Sequence, residues 1–86
     1  MLNIIYAPIF VRKYNKLEIS LQEEILVKIE EFQNEDNHKL LKVHKLHGSM
    51  ANKYSFSVNY KIRIVFEYLS KKEVALLAIG DHAIYE

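Results

Sequence analysis

The sequence predicts an α+β domain, ordered β-α-α-β-β-β, with two helices on one face of a sheet whose last three strands form an antiparallel meander. Three observations carry this. Residues 54–69 alternate apolar and polar side chains, the two-residue period of half-covered strands. Leu21, Ile25, Ile29 and Phe32 trace one stripe, the period of a helix buried along one side. The chain has 86 residues, half of them hydrophobic, with two Gly and one Pro. So short a chain cannot fill two cores, and so apolar a chain is not disordered, which makes residues 1–86 a single domain.

Leu2 to Ala7 is apolar, rich in Ile, and reads as the first strand. Pro8 suits the first turn of a helix. Phe10, Tyr14 and Leu17 then share one helical face, with Arg12, Lys13 and Lys16 largely off it. Ser20-Leu21-Gln22-Glu23 has the form of a capping box, Ser20 accepting from the Glu23 amide and Glu23 reaching back. It predicts a second helix over Leu21–Asn34, with Leu26 beside the buried stripe and Glu23, Glu24, Glu30, Glu31 and Glu35 outside. Asn34-Glu35-Asp36-Asn37 closes it. Residues 38–51 show little period, and Gly48-Ser49 marks a turn. Tyr54, Phe56 and Val58 then alternate with serines, and Asn59-Tyr60 connects a hairpin. Ile62, Ile64, Phe66 and Tyr68 point one way; Lys61, Arg63, Val65 and Glu67 point the other. After the turn at Ser70-Lys71-Lys72, Glu73–Ile79 is apolar on both parities, which predicts a central strand covered on both sides. Gly80-Asp81-His82 ends it.

Composition excludes several classes. There is no cysteine, so disulfides, thiolate metal sites and cysteine nucleophiles are out. No apolar run approaches the roughly 18 residues of a membrane span. The N-terminus lacks the basic flank and long apolar stretch of a signal peptide; a cytoplasmic location is expected. The net charge is only +1, but it is unevenly distributed. Residues 18–36 hold seven acids against Lys28, whereas residues 37–66 hold Lys39, Lys42, Lys45, Lys53, Lys61 and Arg63 and no acid. His38, His44 and His47 lie in the same basic block. Such asymmetry points to one side that faces a polyanion and a separate acidic side, the latter a solvated helix face.

The strand alternation locates candidate chemistry. If Ile62, Ile64 and Phe66 face the helices, Arg63 faces away, sharing an open face with Ser55 and Ser57. A strand arginine above small neighbours can grip a phosphate with its planar fork; the alternative is an exposed arginine paired with Glu67 or another strand's acid. His82 follows a glycine at the end of the central strand and can exchange protons near neutrality. Tyr85 offers an aromatic plate and a phenol donor, or else packs as a tail residue. His44, Lys45 and His47 precede Gly48. The block offers no carboxylate to complete a zinc site, so no metal and no cofactor is expected. The other reading is a basic rim with one imidazole available as a base. These pieces permit metal-free RNA cleavage: a base takes the 2′-hydroxyl proton, that oxygen attacks the adjacent phosphate, cations stabilise the phosphorane, and an acid protonates the leaving 5′-oxygen.

The sequence resembles the RelE/ParE superfamily of bacterial type II toxin–antitoxin toxins. The resemblance runs over nearly the whole chain, through His44-Lys45-Leu46-His47-Gly48, Tyr54-Ser55-Phe56-Ser57-Val58, Tyr60-Lys61-Ile62-Arg63-Ile64-Val65-Phe66-Glu67, and Ile79-Gly80-Asp81-His82 with Tyr85. It implies an endoribonuclease of the RelE branch, similar to YoeB and YafQ, cutting mRNA in the ribosomal A site and neutralised by a cognate antitoxin protein. It implies Arg63 as the arginine on the scissile phosphate, His82 as general acid, His44 as general base and Tyr85 as the terminal aromatic that orients substrate. Lys42, Lys45, His47, Lys53 and Lys61 would contact RNA. Two further readings share the fold: a ParE-like inhibitor of DNA gyrase, which needs no acid–base residues, and a non-toxic relative that only binds an antitoxin.

Overall fold

The computed structural model describes residues 1–81 and 84. In chain order these form β1 (Asn3–Tyr6), α1 (Pro8–Asn15), α2 (Ile19–Gln33), a 3-10 turn (Glu35–Asn37), β2 (His44–Lys45), a second 3-10 turn (Gly48–Met50), β3 (Tyr54–Ser57), β4 (Arg63–Tyr68) and β5 (Glu73–Gly80). The strands make one sheet in the order β1-β5-β4-β3-β2. From β2 to β5 it is an antiparallel meander, while β1 pairs parallel with β5, from Asn3 opposite Glu73 to Tyr6 opposite Leu76. A parallel pair needs a long crossover, and the two helices supply it.

The meander therefore has one strand more than the sequence predicts. β2 is two residues long, too short to show a period, and lies in the stretch read as irregular. Its register sets His44 opposite Ser55 and Lys45 opposite Tyr54.

Both helices bury their apolar stripes against one face of the sheet. Phe10 of α1 and Ile25, Ile29 and Phe32 of α2 meet Phe56, Ile64, Phe66, Val74, Leu76 and Ile79. Phe32 is the centre of this layer. It stacks on Phe56 at 4.3 Å between ring centroids and meets Phe66 edge-on at 4.7 Å. The His38 ring stacks on Phe32 at 4.7 Å, and its Nε2 lies 2.8 Å from the Phe32 carbonyl oxygen. A carbonyl only accepts, so Nε2 carries the proton. His38 thus satisfies an orphan carbonyl near the end of α2 and stands apart from the basic block that contains it in sequence.

The capping box does not form. α2 begins at Ile19, with Glu18 as N-cap and no side chain capping it, so Ser20 lies inside the first turn. The corner with α1 sets this start. Glu18 is extended, and its carbonyl accepts from the amides of Leu21 (3.1 Å) and Gln22 (3.0 Å). Gln22 Nε2 donates to the Tyr14 carbonyl at 2.8 Å, tying the two helices together. At the other end α2 stops one residue before Asn34, whose Oδ1 accepts from the Asp36 amide at 3.0 Å.

β5 is central, as its composition predicts, but its two apolar parities have a different cause from a sheet covered on both sides. The pairing shifts between Val65 and Phe66, so that Val65 faces Ala78 and Phe66 faces Leu76. The bulge passes over Leu77 and moves the inward parity by one. Val74, Leu76 and Ile79 therefore all reach the helix-side core. The opposite face of β5 carries the small residues Ala75, Ala78 and Gly80.

Candidate functional site

Side chains of directly paired residues project from the same side of a sheet. The register then reads out the face turned away from the helices as two rows. One is His44, Ser55, Val65 and Ala78; the next is Ser57, Arg63 and Gly80. His44 and Arg63 therefore share a face, two strands apart and one row offset. At strand spacings near 4.8 Å their backbones are separated by roughly 12 Å, with the Arg63 row on the hairpin-tip side of the His44 row.

This face is less open than the sequence reading expects. Ser55 is wholly buried and Val65 is 1 % exposed. Leu46 and Ala75 are buried as well, yet these apolar residues stand apart from the helix-side cluster. A thin second apolar layer thus floors the site, and the polar groups stand around it. Buried Ser55 is held by an interaction of its own.

Arg63 is half-buried. Its Nη1 donates to the carbonyl oxygens of Asn59 at 2.6 Å and Ile62 at 3.3 Å. Both belong to the β3–β4 connection, so the guanidinium is braced against the hairpin tip through one nitrogen. Among the described residues no carboxylate pairs with it, and no hydrogen bond engages Nε or Nη2. The alternative of a pair with Glu67 is not what forms. Backbone carbonyls thus fix one corner of the guanidinium and, among the described residues, leave its other donors unengaged.

His44 is exposed, and its Nδ1 lies 2.9 Å from the Lys42 carbonyl oxygen. The carbonyl must accept, so the neutral ring carries its proton on Nδ1 and presents Nε2 as an unprotonated base. The arrangement depends on local backbone: Lys42 has φ of 59°, the left-handed region that a lysine rarely adopts. The conformation is held by the Lys42 amide donating to the Lys39 carbonyl (3.1 Å) and the Val43 amide to that of His38 (2.9 Å). Sequence reasoning singles out His44 as a candidate but does not reach this device, because a left-handed lysine leaves no compositional trace.

The remaining predicted residues divide. Lys53 shares the parity of Ser55, and its carbonyl accepts from the Leu46 amide at 2.9 Å. His47 is exposed at the start of the second 3-10 turn. Lys42 lines a cleft with Ser57, Asn59 and Tyr60. Lys45 is paired with Tyr54, whose ring packs on the helix-side cluster, so its register sends it to the other face. Lys61 lines clefts that reach Leu21 of α2 and, through a second one, Lys13 and Leu17 at the α1 corner. The basic block is thus split between two faces. His82 and Tyr85 lie outside the described residues. Between them Ile84 folds back on the end of β5, where its amide donates to the Asp81 carbonyl at 3.1 Å. A Cβ at Gly80 would collide with the Ile84 side chain, so this close return requires glycine opposite Arg63. Among the described residues no group of three or more His, Asp or Glu could hold a metal ion.

No protein-family model matches the chain, and no curated protein matches it. Solved structures do. A chain of the YoeB–YefM complex from Staphylococcus aureus is 17 % identical, with 95 % of this chain and 98 % of that one covered and a TM-score of 0.72. The conserved hypothetical protein HP0894 from Helicobacter pylori is 18 % identical over 96 % of this chain and 97 % of that one, also at 0.72. A chain of the archaeal RelE–RelB complex from Pyrococcus horikoshii is 14 % identical, covering 93 % of each, at 0.70. At such identities the likeness is one of architecture, and it extends from end to end: this chain has the fold of the YoeB and RelE toxins.

Proposed function

We propose that the chain is the toxin of a type II toxin–antitoxin pair and acts as an mRNA endoribonuclease in the ribosomal A site. The observation that carries this reading is the shared face of His44 and Arg63, with Arg63 unpaired to any described carboxylate and His44 presenting Nε2. Arg63 would hold the scissile phosphate and stabilise the charge that accumulates on it. His44 would take the proton of the 2′-hydroxyl, whose oxygen then attacks phosphorus to give a 2′,3′-cyclic phosphate. His82, by the resemblance of its Gly-Asp-His setting, would protonate the departing 5′-oxygen, and Tyr85 would orient the substrate. The partner would be a cognate antitoxin; the solved likenesses include toxins held in complexes with YefM and RelB.

The test is expression in growing cells with primer extension on a reporter mRNA. Wild type should give cuts at in-frame positions, and His44→Ala should lose about 10²-fold or more in rate, the share a positioned base contributes. Added imidazole should restore part of that loss. Intact transcripts in arrested cells would defeat the nuclease reading, and inhibited supercoiling by purified gyrase would then point to the ParE-like one.

A further inference from the structure

The turn residue Tyr60 has a setting that the sequence reading does not use. It is 91 % exposed, and Leu40 is 78 % exposed. Both line one cleft, together with Lys42, Ser57 and Asn59. The cleft exists because β2 is so short: beyond it, the loop at 40–42 runs beside β3, with the Ser57 amide donating to the Leu41 carbonyl at 2.8 Å. Leu41 is buried as an anchor, which leaves Leu40 and Lys42 on either side of it facing out.

The tip carrying Tyr60 is held from three directions. Asn59 Oδ1 accepts from the amides of Lys61 (2.9 Å) and Ile62 (2.7 Å), and Asn59 Nδ2 donates to Glu24 Oε1 of α2 at 2.9 Å. The Asn59 carbonyl receives Arg63 Nη1 at 2.6 Å. The residue that braces the guanidinium is therefore the immediate neighbour of the one that carries the aromatic ring. A flat ring on a fixed tip, an aliphatic wall across a cleft and a lysine at its mouth suit an unstacked base attached to an anionic backbone. Base–aromatic stacking tolerates any base, and a tip whose backbone is already held loses little backbone entropy on binding.

We propose that Tyr60 and Leu40 form a nucleobase subsite, receiving one base of single-stranded RNA next to the phosphate held by Arg63. This rests on reading Arg63 as a phosphate-gripping group. The test is an NMR titration of the isotope-labelled full chain with a short 2′-O-methyl oligoribonucleotide, which cannot be cut, and with an abasic strand of equal length. The base-bearing strand should shift Tyr60, Leu40 and Arg63 signals; the abasic strand should shift Arg63 alone. Tyr60→Ala should weaken the base-bearing strand about tenfold and leave the abasic one unchanged, while Tyr60→Phe stays within about twofold of wild type. Equal losses on both strands, or none on either, would overturn the subsite. Arg63→Ala binding both strands as wild type does would instead overturn the phosphate reading. Should Tyr60→Ala bind RNA normally but fail to be neutralised by a protein partner, the ring belongs to a protein interface and the subsite is wrong.

Discussion

β4 presents two unlike faces from six consecutive residues. Ile64 and Phe66 are completely buried under the helices, within a layer where Phe32 touches two other phenylalanine rings and an imidazole. Arg63 and Glu67, on the opposite side, remain half-exposed. Only Val65 between them is sealed, in the thin layer with Leu46 and Ala75. The helix-side layer anchors the sheet; the other side carries Arg63 and His44 two strands and one row apart. On the proposed reading, a residue's parity on the strand predicts which property its loss removes, stability or cleavage.

The largest expected effect lies on the buried side. Phe32→Ala removes the ring shared by α2, β3 and β4 and the plate beneath His38. It should destabilise the fold by about 3–5 kcal/mol, read by urea unfolding. A loss under 1 kcal/mol would mean that the aromatic layer is not what supports the sheet. On the other face, Arg63→Ala should cost about 10²–10³-fold in cleavage while lowering stability by only about 1 kcal/mol, the worth of its carbonyl bonds. If Arg63→Ala unfolds the domain, or leaves cleavage intact, the division between the faces fails.

Much of this division is legible in the sequence, since a two-residue period assigns every β4 side chain to a face. Tyr54 and Phe56 follow in the same way. What the period cannot express is what breaks it. The bulge at Leu77 moves the inward parity of β5, so a both-sided apolar run arises from a one-sided core. β2 is two residues long and offers no period, so the placement of His44 opposite Ser55 came only from register. The helix starts before the position that the capping motif predicts, because a backbone carbonyl at Glu18 and the Gln22–Tyr14 bond override a well-formed motif. Lys45 and Lys61 counted as one basic block by composition, but pairing and the hairpin tip carry them to other surfaces. Charge in sequence blocks is not charge in space.

A smaller effect should appear where the faces meet, at the end of β5. Gly80→Ala forces a methyl group against Ile84 and should cost about 1–3 kcal/mol, typical of overpacking. Its use is diagnostic: the displaced Ile84 side chain lies at Gly80, which pairs with Arg63, so cleavage should fall further than the stability change alone accounts for, measured at a temperature where the variant is fully folded. Wild-type cleavage in a destabilised Gly80→Ala would show that the return serves stability only.

The smallest effect concerns pH and belongs to the helix side alone. Burial, and then the neighbouring Tyr14, raises the Tyr6 phenol above its ordinary value near 10; burial, then Glu35 and Tyr54, does the same for Tyr68. Both side chains lie on the helix-side parity, Tyr68 against Phe66 at 5.5 Å and Tyr6 against Phe10 at 5.8 Å. The folded chain keeps these protons at a pH where the unfolded chain releases them, so folding binds protons there and stability falls as pH rises. The contribution is whole below the unfolded value and is lost as pH climbs above it through the raised folded values. Urea unfolding at pH 9 and pH 11 should show this decline in wild type and a flatter one in the Tyr6→Phe, Tyr68→Phe double variant. Ser57→Ala, on the opposite face, should leave the slope as it is. A double variant with an unchanged alkaline slope would mean that the two phenols are as free in the folded chain as in the unfolded one, and that the helix-side layer is wetter at its margins than its packing implies.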